Sequence, residues 1–299
     1  MKLGLVLGGG GGRGAYQIGV WEALEELGIA KHVKVISGTS IGALNAMLFM
    51  QGDLENAKKA WVSLHQDEIL PINKRDLILK GKMRIFNTAA RINRILDLKP
   101  DLLYEGEFSS EGLVKVINKF LDMDKALNSG IPCYCTCSDL VLKDKKYFKV
   151  GDYPNETIKQ ILLASSAIPG LYDAVEINGR LYLDGGLQDN VPITPVYNEK
   201  CDIIIVVRLC PEDSVNHQKF PGVKIIDIAL EENKEVYNEG LFDFSPETIH
   251  DKMEAGYNAT TDLIQPIFSL MANMLALDKV KENMGILDKL KSYLSRKDK

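Results

Sequence analysis

The chain has 299 residues, 45% of them hydrophobic and 26% charged, with a formal net charge of −5. That is enough apolar sequence to bury a large core, in one α/β domain or two smaller ones. The mild acidity excludes binding to nucleic acid through overall positive charge, no apolar run approaches the roughly 18 residues of a membrane span, and there is no repeat or low-complexity tract.

In chain order, Leu3–Leu7 reads as a fully buried strand that runs into Gly9-Gly10-Gly11-Gly12-Arg13-Gly14. Lys2 is followed by only five residues before the glycines, all needed by that strand, so no signal peptide is expected. Ala15–Leu27 predicts a helix, with Ile18, Trp21, Leu24 and Leu27 at helical spacing and Gly28 as its stop. Val33–Ile36 predicts a second strand. It leads through Gly38-Thr39-Ser40-Ile41-Gly42 into a helix over Ile41–Met50 that ends at Gly52. A β-α-β-α beginning implies a parallel sheet with right-handed crossovers.

Between residues 74 and 99, eight basic residues stand against Asp76 and Asp97, interleaved with apolar ones such as Leu77, Ile85, Phe86 and Leu98. That pattern fits a basic amphipathic segment lying on an anionic membrane surface, or an ordinary solvated helical hairpin. Further strands are expected at Ile131–Cys137, Lys146–Val150, Ala174–Ile177, Arg180–Leu183, Ile203–Arg208 and Lys224–Ile228, with Asn178-Gly179 as a hairpin turn. A helix is expected at Ile158–Ala164, and helix from Ser245-Pro246 to the end, with a basic tail over Lys289–Lys299. Cys133, Cys135 and Cys137 alternate, which puts them on one face of a strand without the C-x-x-C spacing of zinc sites. Buried free thiols in a reducing compartment are expected, with no metal and no cofactor.

An ester hydrolase must activate a weak nucleophile and stabilise an oxyanion. In G-x-S-x-G the serine sits on a strained strand-to-helix turn, here Ser40 between Gly38 and Gly42. The glycine run supplies the complement, since successive glycines at a helix start turn several N–H groups toward one point. The same run fits a dinucleotide fingerprint. However, the second strand ends in Ser37-Gly38-Thr39-Ser40 without the carboxylate such a site needs, and Gly14 is followed by Ala15-Tyr16 rather than the Lys-Ser/Thr of a phosphate loop. For a base there are four histidines, His32, His65, His217 and His250, none in a turn context typical of catalysis; His217 and His250 do follow the serine in triad order. The other candidate is Asp184, in Leu183-Asp184-Gly185-Gly186 past a short strand. It can act directly if burial raises its pKa toward neutrality. Asp-Gly-Gly taken alone is more often merely a turn.

Gly9–Gly14, Gly38–Gly42 and Asp184–Gly186 stand in the order and contexts of the patatin-like phospholipases, which the chain resembles over roughly residues 1–210. Ala164-Ser165-Ser166-Ala167-Ile168-Pro169 and the run Asp184 to Pro192 add to the likeness. The resemblance implies a three-layer α/β/α sandwich with a mostly parallel central sheet and a Ser-Asp dyad that uses neither histidine nor metal. It implies Ser40 as nucleophile, Asp184 as base and Gly10, Gly11 and Gly12 as the oxyanion hole. Gly9, Arg13, Gly14, Gly38, Gly42, Gly185 and Gly186 complete the motifs, with Arg13 either structural or facing a phosphate. The expected reaction is hydrolysis of phospholipid or lysophospholipid esters through an acyl-enzyme. The rivals are a carboxylesterase on soluble short-chain esters and a catalytically silent lipid-binding protein. The expected division is a catalytic domain over 1–210, with an insertion at about 74–99, and a mostly helical extension over 211–299 packed on it. The expected setting is the cytoplasm, peripherally on the inner membrane face, with a lipid substrate and no nucleic-acid partner. Head group, chain length and oligomeric state are not encoded in any motif.

Overall fold

In a computed structural model of the chain, which describes residues 2–69, 106–230 and 240–266, Leu3–Leu7 forms strand β1 and is buried at every position. A strand buried on both faces reads as a continuous apolar run because it lies inside a parallel sheet. β1 pairs in parallel with β2 (Val33–Thr39) on one edge and with β7 (Ile203–Arg208) on the other. β3 (Cys133–Asp139) adds to β2 and β8 (Lys224–Ala229) adds to β7, both parallel, giving a five-stranded parallel core. β4 (Asp144–Lys149), β5 (Val175–Ile177) and β6 (Arg180–Asp184) are antiparallel additions on the β3 side. Asn178 and Gly179 turn between β5 and β6 with φ of 51° and 77°, as the Asn-Gly pair requires.

One detail of register positions the site. β4 covers one edge of β3 along Tyr134–Asp139, so β2 and β6 must share the other. β2 runs along it as far as Thr39 opposite Thr136, and β6, running the opposite way, begins its pairing with Asp184 opposite Cys137. The C-terminal ends of β2 and β6 therefore meet head-on.

Helices cover both faces. Val6, Val35, Ile204 and Val206 pack on one side against Ile193 and Val196 of the short helix Ile193–Asn198. On the other side Leu5 and Leu7 face α1 (Ala15–Glu26) and α2 (Ile41–Gln51) around Ile18, Trp21 and Phe49. α2 ends where Gly52 takes φ 69°. Cys133, Cys135 and Cys137 are free and buried, alternating with Tyr134 and Thr136 as expected.

β2 and β3 extend past their expected ends, to Thr39 and Asp139, because ladder pairing continues through the small polar residues that close each strand. The chain divides into two compact units, Met1–Ala259 and Thr260–Lys299. Position 210, where the sequence suggests a boundary, falls between β7 and β8, which pair along their whole length. Residues 246–259 form a helix behind Ser245, and residues 260–266, the described part of the second unit, are helical. The basic segment 74–99 and the tail 289–299 lie outside the described residues.

Candidate active site

Ser40 is the single residue between β2 and α2, and it holds φ 56° and ψ −126°. For a residue with a Cβ this is a sparsely populated conformation costing about 1–3 kcal/mol, so its surroundings must enforce it. Gly38 and Gly42 let the turn close: a Cβ on Gly38 would fall 2.3 Å from the Gly42 carbonyl oxygen, and one on Gly42 would fall 2.2 Å from that of Leu7. The N–H of Ser40 donates to Ser165 Oγ at 2.9 Å, and that hydroxyl donates to the Thr136 carbonyl at 2.7 Å. The helix Asn155–Ser165 and strand β3 thus hold the turn through one side chain.

Asp184 ends β6 and is fixed on all sides. Its N–H donates to Ala167 O at 2.9 Å, and its carbonyl accepts from Ser138 Oγ at 2.8 Å. Carboxylate Oδ1 accepts the Gly186 N–H at 2.7 Å, leaving Oδ2 to accept from Ser40 Oγ at 2.7 Å. Burial raises the Asp184 pKa to about 6, against the opposing pull of the hydrogen bonds from Ser40 and Gly186.

The glycine loop lies beside this pair. A Cβ on Gly9 would fall 3.2 Å from Ser40 Cβ. The loop is pinned at several points. Gly8 O accepts from Gln17 Nε2, and Gly14 O accepts from Asn45 Nδ2. The peptide of Gly9 is clamped from both sides by Asn190, whose carbonyl takes the Gly9 N–H at 3.1 Å and whose Nδ2 donates to Gly9 O at 3.2 Å. Asn190 Nδ2 also donates to Asp213 Oδ2 at 2.6 Å, and burial lifts Asp213 to about 6. Gly11 has φ 54°, and a Cβ there would fall 2.1 Å from Leu241 O. Among the described residues no backbone acceptor takes the N–H of Gly10, Gly11 or Gly12. Backbone donors left in this way at a helix start suit a developing negative charge.

Ser40 and Gly11 open into a recess lined almost wholly by apolar side chains. Leu44, Trp61, Leu113, Ile117, Phe120 and Tyr172 are among its walls. Ser166 Oγ is buried on the wall with no hydrogen-bond partner among the described residues. An apolar recess with a few polar atoms at one end suits a long apolar ligand with a polar terminus.

Arg13 differs from a phosphate-facing role. It is buried, and its guanidinium donates to Leu209 O and reaches Cys210 Sγ, both at 3.4 Å. All four histidines are exposed, and the hydrogen bond of Ser40 Oγ goes to Asp184. Among the described residues no three metal-ligating side chains converge. Four residues enter the site without a role assigned from sequence. Ser165, Ser166 and Asn190 lie in stretches already marked by motif likeness, whereas Asp213 carries no local signal.

A family model described as patatin-like phospholipase matches residues 5–197. The chain is 30% identical over 213 residues to lysophospholipase NTE1 of Saccharomyces cerevisiae, covering 71% of this chain and 11% of that protein. It is 29% identical over 208 residues to an uncharacterised NTE family protein of Mycobacterium tuberculosis, covering 70% of this chain and 49% of that one. The chain thus spans between about a tenth and half the length of these relatives. Among solved structures it is similar to human GIVD cytosolic phospholipase A2, with TM-score 0.47, 11% identity and coverage of 87% and 58% of the two chains. It is also similar to VipD from Legionella pneumophila, with TM-score 0.43, 14% identity and coverage of 88% and 66%.

Proposed function

This chain belongs to the patatin-like phospholipase family, and from that membership we propose that it is a metal-independent serine acyl hydrolase of phospholipid or lysophospholipid esters. The observation that carries the reading is the 2.7 Å hydrogen bond from Ser40 Oγ to Asp184 Oδ2 at the end of an apolar recess.

In this reading an acyl chain occupies the recess and the ester carbonyl lies over Ser40. As Oγ bonds to the carbonyl carbon, its proton passes to Asp184 Oδ2, and the N–H groups of Gly10, Gly11 and Gly12 take up the oxyanion. Collapse of the tetrahedral species breaks the bond to the leaving alcohol, which receives the proton from Asp184. Water then repeats the sequence on the acyl-enzyme, freeing the fatty acid and restoring Ser40. A base with pKa near 6 is ionised at neutral pH yet basic enough to accept the proton. Clamping of Gly9 by Asn190 and of Ser40 N–H by Ser165 supports this reading, because donors and nucleophile are fixed before substrate arrives.

Treatment with a fluorophosphonate tests it: the expected product is a single adduct on Ser40, formed equally well with chelator present, and absent from Asp184→Asn. No adduct on Ser40 would leave a lipid-binding protein without this chemistry.

A further inference from the structure

β3 does not stop level with Ser40. It continues three residues beyond Thr136, the position opposite Thr39, to Asp139. At about 3.3 Å per residue it carries the β3–β4 hairpin roughly 10 Å past the end of β2, on the sheet edge where Ser40 stands. At the tip, Val141 and Leu142 are 75% and 63% exposed, and no other large apolar side chain among the described residues exceeds 42%. Single exposed apolar residues need no explanation, but an adjacent pair on a projecting turn does.

The turn is built to present that pair. Asp139 Oδ1 accepts the N–H groups of both Val141 and Leu142 at 2.9 Å, and Oδ2 is held by Arg180 at 3.2 Å. These two backbone donors are therefore satisfied within the protein, so Val141 and Leu142 can leave water without stranding them. Directly behind it, Lys145 and Lys146 are exposed and, by strand alternation, point to opposite faces of β4. The acids nearby are Asp139, paired with Arg180, Asp144, whose Oδ1 accepts the Lys145 N–H, and Asp189, which lies within electrostatic reach of Lys145 and accepts from the Tyr147 hydroxyl. An apolar tip with cations on both flanks is complementary to one surface in particular, a bilayer with anionic headgroups.

We propose that the β3–β4 hairpin docks the protein on anionic membranes, with Val141 and Leu142 entering the headgroup boundary and Lys145 and Lys146 against lipid phosphates. This deepens the phospholipid reading above and rests on it for its purpose, since docking at this edge would bring Ser40 to the lipid. It is distinct from the segment 74–99.

The test uses the full chain and vesicles of phosphatidylcholine with or without phosphatidylserine, measured by co-sedimentation. Hydrolysis of vesicle phospholipid and of a soluble short-chain ester is followed in parallel. Wild type should bind the phosphatidylserine vesicles, and less as salt rises. Both V141D/L142D and K145E/K146E should lose at least about tenfold in partitioning, with soluble-ester turnover and melting temperature unchanged. Variants that bind as wild type does, or a wild type that does not bind, would overturn the docking role. Phospholipid cleavage with unaltered binding in both variants would remove the docking alone. Hairpin-dependent binding without any phospholipid cleavage would support the docking and remove the substrate reading alone.

Discussion

Thr39 and Asp184 occupy consecutive positions along one edge of β3, opposite Thr136 and Cys137. Because β2 and β6 arrive from opposite directions, the residue after Thr39 meets Asp184 directly, and their side chains join at 2.7 Å. Backbone ladders set that meeting, so the two side chains can be altered without dismantling what brings them together.

Ser40→Ala and Asp184→Asn should accordingly remain folded. Asp184→Asn should lower kcat about 10²–10⁴-fold on an ester substrate, and Ser40→Ala should lower it to background. Because the two groups act as a unit, the double variant should be no worse than the poorer single one. A multiplicative loss in steady-state kinetics would argue that they work independently.

The pH profile follows from the base. Asp184 must be ionised to accept the proton, and burial places its pKa at about 6. The ratio kcat/KM should rise with pH and level off above that value. An acid limb near pH 4 would mean that the free carboxylate is far less buried than its contacts indicate.

The same shift affects stability with a definite sign. The Asp184 pKa is 3.8 without perturbation and about 6 in the fold, so between these values the native state binds more protons than the unfolded chain. Its contribution is therefore most favourable below about pH 4 and is lost as pH rises through about 6. The full loss is on the order of 3 kcal/mol, from roughly two units at ~1.4 kcal/mol each. Urea unfolding of wild type and Asp184→Asn should show the variant gaining on wild type from pH 4 to 7. A constant difference across that range would contradict the shift.

Much of this was legible before any coordinates. The glycine run, the serine turn and Asp184 announce themselves because glycine is needed where backbones touch, as at Gly38, Gly42 and Leu7. The parallel core followed from the β-α-β-α order at the start of the chain, where apolar runs at β1 and β2 each lead into a helix. What stayed hidden depends on contacts across long stretches of chain. Asn190 clamps Gly9 from 181 positions away, and Asp213 reaches Asn190 from a loop with no periodicity. The sequence places the end of β3 at Cys137, the last apolar residue of the run, whereas pairing with Leu183 and Tyr182 keeps the polar Ser138 and Asp139 in the sheet. The motif leaves Arg13 either structural or facing a phosphate, and only its burial against Leu209 and Cys210 favours the first.

The Asn190 clamp gives a prediction of its own. Asn190→Ala removes the Nδ2 donor to Gly9 O but leaves the backbone bond to Gly9 N–H. The loosened loop should lower kcat about tenfold, less than the ~10²–10³ for outright loss of an oxyanion donor, with KM little changed. A KM effect alone would place Asn190 in substrate binding rather than in holding the loop.

Filling the recess should alter chain-length preference. Leu113 lines it, and Leu113→Trp should depress turnover of long-chain esters relative to short ones. Roughly tenfold discrimination is reasonable for the loss of a few methylene contacts at ~0.8 kcal/mol each. Equal effects on all chain lengths would show that the acyl group lies elsewhere.

The most direct test of the central claim is fatty-acid release from mixed phospholipid and lysophospholipid vesicles, with chelator present. Wild type, Ser40→Ala and Asp184→Asn would be compared, each first shown to be folded. The account predicts release by wild type alone. Release by Asp184→Asn at the wild-type rate, or release abolished by His217→Ala or His250→Ala, would contradict a mechanism carried by Ser40 and Asp184.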